Sequence, residues 1–347
     1  MKQVKVAVIG ASGYTGQELL RILLRHQGVE LVCATSRQYA GQMLEDVFPR
    51  FRHVPGADLR FTDSDVPAVA ATGAEVAFLA LPHGVAAAYA RGLVDAGVKV
   101  IDLSADFRIS DPAVYEEFYD KPHPDLDLLK EAVYGMPEWH GEEIRKARLI
   151  ASPGCYPTSI LLPLIPLLKA GLLETEGIVV CSSSGVSGAG RKADISLLFC
   201  ECNESVRAYG VPKHRHLSEI EQELGAAAGE KIVISFTPHL VPVNTGICTT
   251  TSAKLKPGAD PAQIGKTLEG AYKNAPFVRL LGANKCADTK NVTRTNFVDI
   301  GWAYDPRTGR IVLMSAEDNV IKGAGGQGVH AFNVLCGFDP TEGLWII

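Results

Sequence analysis

The sequence is short of the features that mark several large classes of protein. Aromatic residues make up only 7% of its 347 positions, too few for a platform that stacks single-stranded nucleic acid. It has no excess of positive charge: 34 Lys and Arg face 39 Asp and Glu, for a net charge of -5 and a pI near 6.0. That argues against a nucleic-acid surface. None of the eight cysteines forms a Cys-x-x-Cys pair, and Cys200 and Cys202 stand too isolated for a zinc site, so no metal is expected. Scattered thiols in a chain of this size point to a reducing compartment. No apolar run reaches the roughly 18 uninterrupted residues of a membrane span. The run from Ile160 to Leu168 is broken by Pro163 and Pro166. Met1 to Val6 leads straight into a strand pattern, with nothing that reads as a signal peptide. A soluble, cytoplasmic protein is expected, with no nucleic-acid or membrane partner.

What is present is ample apolar material, 46% of the chain, at a length that suggests two domains. Val4 to Ile9 is a nearly continuous apolar run, as in a buried parallel strand. Gly10-Ala11-Ser12-Gly13-Tyr14-Thr15-Gly16 follows at once, and Leu19, Leu20, Leu23 and Leu24 then recur at helical spacing. Leu31 to Ala34 reads as a second strand. This is a βαβ unit with a glycine-rich first turn, where small residues let a pyrophosphate approach the helix N-terminus. The turn is GxxGxxG rather than GxGxxG, and only its placement between strand and helix makes it a dinucleotide signal. After the second strand, Ser36 and Arg37 stand where an NAD site usually carries an acid for the ribose hydroxyl. That substitution favours NADP; otherwise Arg37 is a solvated loop residue.

Residues 40–72 read as loops and short irregular elements. Ala74 to Leu81 and Val98 to Leu103 read as further buried strands, with a helix from Val85 to Ala96 between them. Ligands of open α/β sheets bind at the carboxyl ends of strands, and two candidates lie there. His83, in Pro82-His83-Gly84, either caps a turn or touches cofactor. Arg108, in Ser104-Ala105-Asp106-Phe107-Arg108, either holds a substrate carboxylate or pairs with Asp106. Residues 111–146, polar and spotted with proline, read as an excursion over the sheet edge.

Leu149-Ile150-Ala151 is an apolar strand that runs into Pro153-Gly154-Cys155-Tyr156-Pro157-Thr158. A helix is expected to open around Pro157, since proline is tolerated at the first helical position. Cys155 then sits on a turn just ahead of a helix N-terminus, where the exposed N–H groups favour a nucleophilic thiolate. The competing reading is a buried cysteine used as a small hydrophobe. Pro163 and Pro166 make the following helix kink or start late.

From Glu176 the texture changes to strands at Gly177 to Ser183, Lys231 to Phe236, Val243 to Leu255, Thr295 to Tyr304 and Arg310 to Glu317. The last two flank the hairpin turn Asp305-Pro306-Arg307-Thr308-Gly309. Few helices interrupt them, which suggests an α+β domain on a mainly antiparallel sheet. The hydroxyl- and glycine-rich loop Ser184 to Arg191 fits either a phosphate cradle of N–H groups, hydroxyls and Arg191, or a linker. His214 and His216, beside Lys213 and Arg215, suit proton transfer near neutral pH. A final helix, roughly Gln327 to Cys336, should return to the first domain.

Together the glycine loop, Leu81-Pro82-His83-Gly84, Ser104 to Arg108, Pro153 to Thr158, Ser184 to Arg191, His214-Arg215-His216 and Asp318 to Gly323 resemble the N-acetyl-γ-glutamyl-phosphate reductases of the arginine pathway. The resemblance covers essentially the whole chain, and Pro-Gly-Cys-Tyr-Pro-Thr is its most specific segment. It implies an α/β protein with a Rossmann domain (residues 1–154 and 319–347) and an α+β catalytic and oligomerisation domain (155–318). It also implies NADP as cofactor, no metal, an N-acetylated acyl phosphate and inorganic phosphate as small-molecule partners, and a homodimer or homotetramer. On this reading Cys155 forms a thioacyl intermediate, and His216, or else His214, handles the proton. Cofactor contacts are expected from Gly10, Ser12, Gly13, Tyr14, Thr15, Gly16, Ser36, Arg37, Leu81, Pro82, His83, Gly185, Gly188 and Asn319. Substrate or phosphate contacts are expected from Arg108, Ser184, Ser187, Arg191 and Lys213. The aminoadipate-series reductases of lysine biosynthesis share these motifs and remain an alternative, as does a non-catalytic nucleotide sensor.

Overall fold

A computed structural model describes residues 3–345. The chain forms two compact units: one runs up to Pro112, through Pro122–Pro153 and on from Ala324, and the other holds Ala113–Lys121 and Gly154–Gly323.

The first unit is built on a parallel sheet. β1 (Val4–Ile9) is buried from its third residue onward, which explains its unbroken apolar run. α1 (Tyr14–Leu23) follows, burying Leu19, Leu20, Ile22 and Leu23, and leads to β2 (Val29–Ala34). Two short helices come next, α2 (Leu44–Val47) and α3 (Val66–Ala71), the second capped by the Asp65 carboxylate accepting from Ala68 N–H. β3 (Val76–Leu79), α4 (Ala86–Asp95) and β4 (Lys99–Asp102) continue the alternation. The stretch from residue 111 to 146 is more than an irregular excursion. It holds α5 (Pro112–Tyr119), which belongs to the second unit from Ala113 onward, and, in the first unit, α6 (Leu126–Leu129), β5 (Val133–Tyr134) and α7 (Pro137–Ile144); β5 adds a strand to the edge beside β6 (Leu149–Ala151). The order is β2-β1-β3-β4-β6-β5, every pairing parallel. Strand order reverses at β1, so the glycine loop leaves the sheet at the position where such sheets bind ligands.

The second unit opens with α8 (Cys155–Lys169), in which all but the two end residues are buried. β7 (Val179–Ser184), α9 (Phe199–Cys202), β8 (Arg207–Ala208), α10 (His216–Ala228), β9 (Ser235–Leu240), β10 (Ile247–Lys254), α11 (Gln263–Tyr272), β11 (Val278–Ala283), β12 (Val298–Asp305) and β13 (Arg310–Glu317) follow. The seven-stranded order is β11-β12-β13-β10-β7-β9-β8. β11 with β12 and β7 with β9 are parallel and the other pairings antiparallel, so the sheet is mixed and mainly antiparallel. α8 packs on β10 and β13, with α10 and α11 against it. The chain then returns to the first unit as α12 (Gly326–Cys336), packed on α1, α7 and β4.

Two expectations about α8 are corrected. It begins at Cys155, two residues before Pro157, and it runs through Pro163 and Pro166 without a break. Each proline deprives the carbonyl four residues earlier of its N–H. Those carbonyls belong to Ser159 and Leu162, and side-chain hydroxyls take the place of the lost donors. Ser315 Oγ donates to Ser159 O at 2.6 Å, and the Tyr272 hydroxyl donates to Leu162 O. With both carbonyls satisfied, the helix has no polar cost to relieve by kinking.

Candidate active site

Gly154 is the N-cap of α8, extended at φ -71° and ψ 161°, with no side chain capping the helix; Cys155 is therefore the first helical residue. Pro157, at the third position, has no N–H to leave orphaned, so the donors of the first turn are concentrated at Cys155 and Tyr156. The cap itself is held from α10: Gly154 N–H donates to Glu219 Oε1 at 2.9 Å, and Glu219 is fully buried.

His216 is the first residue of α10, with His214 just ahead of it. Tyr156, the residue after the cysteine, gathers both. Its ring meets His214 edge-on with centroids 5.4 Å apart, His216 at 5.9 Å and Phe236 at 5.3 Å. The two imidazoles are 5.0 Å apart. They are not equivalent. His214 Nδ1 accepts the His216 backbone N–H at 3.1 Å, which fixes its tautomer. Burial first, and the neighbouring Arg215 charge second, push its pKa down to about 4. His214 is thus a neutral, fixed ring at physiological pH.

The Tyr156 hydroxyl lies 2.7 Å from that of Tyr209. Burial raises both phenols, Tyr156 far above its ordinary range and Tyr209 to about 12, and a charge on Cys155 adds to the rise in each. Neither tyrosine was given a role from the sequence. Their roles depend on a pairing across 53 residues that no spacing rule reports.

The chain just beyond β13 forms the wall beside Cys155. A Cβ on Gly323 would lie 2.7 Å from Cys155 Cβ and 2.9 Å from Glu317 Oε1. Only a glycine fits between the cysteine and that buried carboxylate. Asn319, expected at the cofactor, does its visible work here: Oδ1 accepts from Gly246 N–H at 2.7 Å and Nδ2 donates to Ser187 Oγ at 2.9 Å.

The loop after β7 differs from a backbone cradle. The N–H groups of Gly185, Val186, Ser187 and Gly188 are bonded to the carbonyls of Gly246, Val243, Asn244 and Gly185. They are taken by the protein itself; Ser184 Oγ likewise donates to Gly185 O at 3.2 Å, Ser187 Oγ accepts from Asn319, and Arg191 is exposed. Gly188 is exposed and Gly185 buried against Asn244 and Val243. Lys213 also has a partner: Nζ donates to Glu117 O at 2.7 Å and lies 3.1 Å from Glu117 Oε1, in the segment that carries α5. Its ammonium is thereby tied to the segment that carries α5.

In the first unit, Gly10 has φ +79°, and a Cβ there would lie 2.5 Å from Ala80 O and 3.0 Å from Leu81 Cδ2. Gly13 is the N-cap of α1, again with no side-chain cap, so the first-turn N–H groups of Tyr14, Thr15 and Gly16 face outward from the loop. This fits a dinucleotide pyrophosphate. Ser36 Oγ donates to Ser12 Oγ at 3.0 Å, joining the end of β2 to the glycine loop, while exposed Arg37 donates to the Tyr89 hydroxyl at 3.1 Å. Pro82 and His83 are exposed in the turn before α4. Arg108 is buried, with Nη2 donating to Leu103 O at 2.8 Å. Asp106 caps α4, its two oxygens accepting from Gly84 N–H at 2.6 Å and Ala87 N–H at 3.0 Å. Asp102 beside it is pushed up to about 7 by burial, against the bonds it accepts from Ser104.

Two family models match the chain: the semialdehyde dehydrogenase NAD binding domain over residues 5–147, and the semialdehyde dehydrogenase dimerisation domain over residues 155–319. An N-acetyl-γ-glutamyl-phosphate reductase of Akkermansia muciniphila is 76% identical over 347 residues, 100% of each chain. The chain belongs to the N-acetyl-γ-glutamyl-phosphate reductase family. A second member, from Desulfotalea psychrophila, is 48% identical over 345 residues and 99% of each chain. The fold extends beyond the family. Aspartate semialdehyde dehydrogenase II of Vibrio cholerae has a TM-score of 0.74 at 20% identity, over 97% of this chain and 99% of that one. The aspartate semialdehyde dehydrogenase of Candida albicans, solved with NADP, gives 0.71 at 16%, over 96% and 98%. An oxidoreductase with an NAD(P)-binding domain and a dimerisation domain is thus shown. Among the described residues no helix is long and apolar enough to cross a membrane, and no cluster of three or more potential metal ligands occurs.

Proposed function

We propose that the chain reduces N-acetyl-γ-glutamyl phosphate to N-acetylglutamate 5-semialdehyde with release of phosphate, through a thioacyl intermediate on Cys155 and with NADPH as reductant. The observation that carries this reading is Cys155 as the first residue of a 15-residue helix with no side-chain cap, grouped through Tyr156 with His216. The helix dipole and the first-turn N–H groups favour the thiolate. The thiolate sulfur attacks the acyl carbon, the carbon–oxygen bond to phosphate breaks, and inorganic phosphate leaves. Ser184, Ser187 and Arg191 are the groups we assign to that phosphate. His214 is held neutral, so we assign the acid–base role to His216, which supplies the proton that the carbonyl oxygen gains. NADPH, when bound, would supply a hydride to the thioester carbonyl carbon. The hemithioacetal so formed on Cys155 collapses: its carbon–sulfur bond breaks, Cys155 leaves as thiolate, and the oxygen returns its proton to His216 as the aldehyde forms. The Gly10 to Gly16 loop holds its pyrophosphate, and Ser36 and Arg37 receive the 2′-phosphate.

We read residues 1–154 and 319–347 as serving the dinucleotide and 155–318 as serving catalysis and assembly. The assembly is a homo-oligomer through the outer face of the seven-stranded sheet. There Val179 and Cys181 of β7, Thr250 of β10 and Val312 and Met314 of β13 line up in register, neutral and turned away from α8. The partner is a second copy, in keeping with the family model that spans this sheet.

The test is mass spectrometry of the intact protein mixed with acyl phosphate, NADPH withheld. Wild type should gain the N-acetylglutamyl mass on Cys155, and phosphate-dependent NADP+ reduction should proceed with N-acetylglutamate semialdehyde. Cys155→Ala should lose both, with turnover down by several orders of magnitude. Near wild-type turnover by Cys155→Ala would end this mechanism. Preference for the semialdehyde one carbon longer would move the substrate to the aminoadipate series.

A further inference from the structure

We propose that Asp318 is a positioning residue for the nucleophile, and that with Asn319 it forms a junction holding the wall beside Cys155 in register with the loop assigned to phosphate. The inference rests on Cys155 being the nucleophile. Asp318 is nearly fully buried at the end of β13. Its Oδ1 accepts from Val320 N–H at 2.9 Å and Ile321 N–H at 3.1 Å, and its Oδ2 accepts from Arg294 N–H at 2.7 Å. Its backbone carbonyl accepts from Gly323 N–H at 2.9 Å. One residue therefore closes the turn that ends at Gly323, the same Gly323 whose Cα faces Cys155 too closely for any side chain. The anchor on the far side is costly to build. Arg294 has φ +66°, a conformation that L residues rarely adopt. A strained residue of this kind persists where surrounding contacts hold it, and its N–H is aimed at the carboxylate.

Asn319 extends the junction in the other direction. Its amide bonds Gly246 at the start of β10 and Ser187 in the loop after β7. Two consecutive side chains thus connect four separate stretches: the Arg294 loop, the Gly323 turn, the mouth of β10 and the Ser184–Arg191 loop. A carboxylate suits position 318 because the bonds it accepts from Val320, Ile321 and Arg294 come from N–H groups. An amide of the same shape keeps an acceptor for Val320 and Ile321 but turns an NH2 group toward the Arg294 N–H.

Asp318→Asn is therefore the sharp test. Displacing a reacting group by about 1 Å costs about 10²-fold in rate. Single-turnover formation of the acyl-Cys155 adduct should slow by about 10–100-fold, while the dissociation constant for NADPH stays within about 2-fold, a change worth only about 0.4 kcal/mol. Gly323→Ala attacks the same contact from the other side and leaves the bonds of Asp318 in place, so it carries the test should Asp318→Asn fail to fold. It should slow acylation at least as much. Asn319→Ser should instead raise the KM for inorganic phosphate in the reverse reaction. Wild-type acylation rates in Asp318→Asn, or in Gly323→Ala when Asp318→Asn does not fold, would overturn the proposal. So would NADPH affinity lost in step with the rate, since that signals general loosening. Failure of the underlying functional reading looks different: the wild type itself would form no adduct.

Discussion

His214 and His216 show how one intervening residue separates two chemical fates. The ring at 214 is enclosed by Tyr156, Tyr209 and Phe236 and accepts a backbone N–H, so its cation is disfavoured. Its folded pKa of about 4 lies below the ordinary 6.5. Stability from keeping it neutral is fully present above pH 6.5 and is lost as pH falls toward 4. At about 1.4 kcal/mol per unit, the loss is about 3 kcal/mol. Urea unfolding of wild type between pH 7 and 4.5 should show this slope, and His214→Phe should flatten it. An equal slope in both proteins would remove His214 as its source. Arg37 supplies the second prediction at this scale. NADPH should bind more tightly than NADH by about 1–3 kcal/mol if a charge-assisted bond reaches the 2′-phosphate. Arg37→Asp should reverse the order, and comparable kcat/KM for the two cofactors in wild type would refute the assignment.

Among the elements, α8 is the one whose sequence argues against its structure. The two internal prolines are tolerated because hydroxyls from β13 and α11 stand in for the missing donors. Ser315→Ala should leave the buried Ser159 carbonyl unsatisfied at a cost of about 1–3 kcal/mol. In a Pro163→Ala background the restored N–H should satisfy the same carbonyl, so the Ser315→Ala cost should shrink. A double-mutant cycle in chemical denaturation with no coupling would show the hydroxyl to be incidental. This compensation was not legible in the sequence, because its partners lie 156 and 110 residues away. The βαβ start was legible, since a strand buried on both faces must be apolar throughout and its glycine turn must follow at once. β8 and β11 escaped notice: the first is two residues long, and the second is only half-buried and carries Arg279 among its apolar residues. At the candidate site, Cys155, His214 and His216 stood out by residue type and local spacing, and the structure groups both histidines on the ring of Tyr156. Glu219 and Asp318 were not, because they act on backbone N–H groups, which leave no mark on sequence.

For the whole molecule, the assembly proposed above runs through the outer face of the seven-stranded sheet. The central positions named above are uncharged, and they should tolerate a second copy and not a cluster of like charges. Thr250→Lys with Met314→Lys places adjacent cations at register partners on that face. Sedimentation should show the double variant at half the wild-type dimer mass at low micromolar concentration, with its NADPH binding intact. An unchanged mass would move the interface elsewhere.

The return of α12 to the first unit has a consequence for the order in which the chain can mature during synthesis. Phe332 is fully buried against Phe78, and Asn333 Oδ1 accepts from His26 Nε2 at 2.9 Å. The strands of the first unit thus lack part of their covering until α12 has been made. The second unit is complete in sequence by Gly323. Domains generally fold as units, N-terminal first, and here that order is inverted: the second unit, which carries Cys155, can close while the first still waits for its final helix. A nascent chain stalled after Gly323 would be open to protease in its first hundred residues and resistant in its second half.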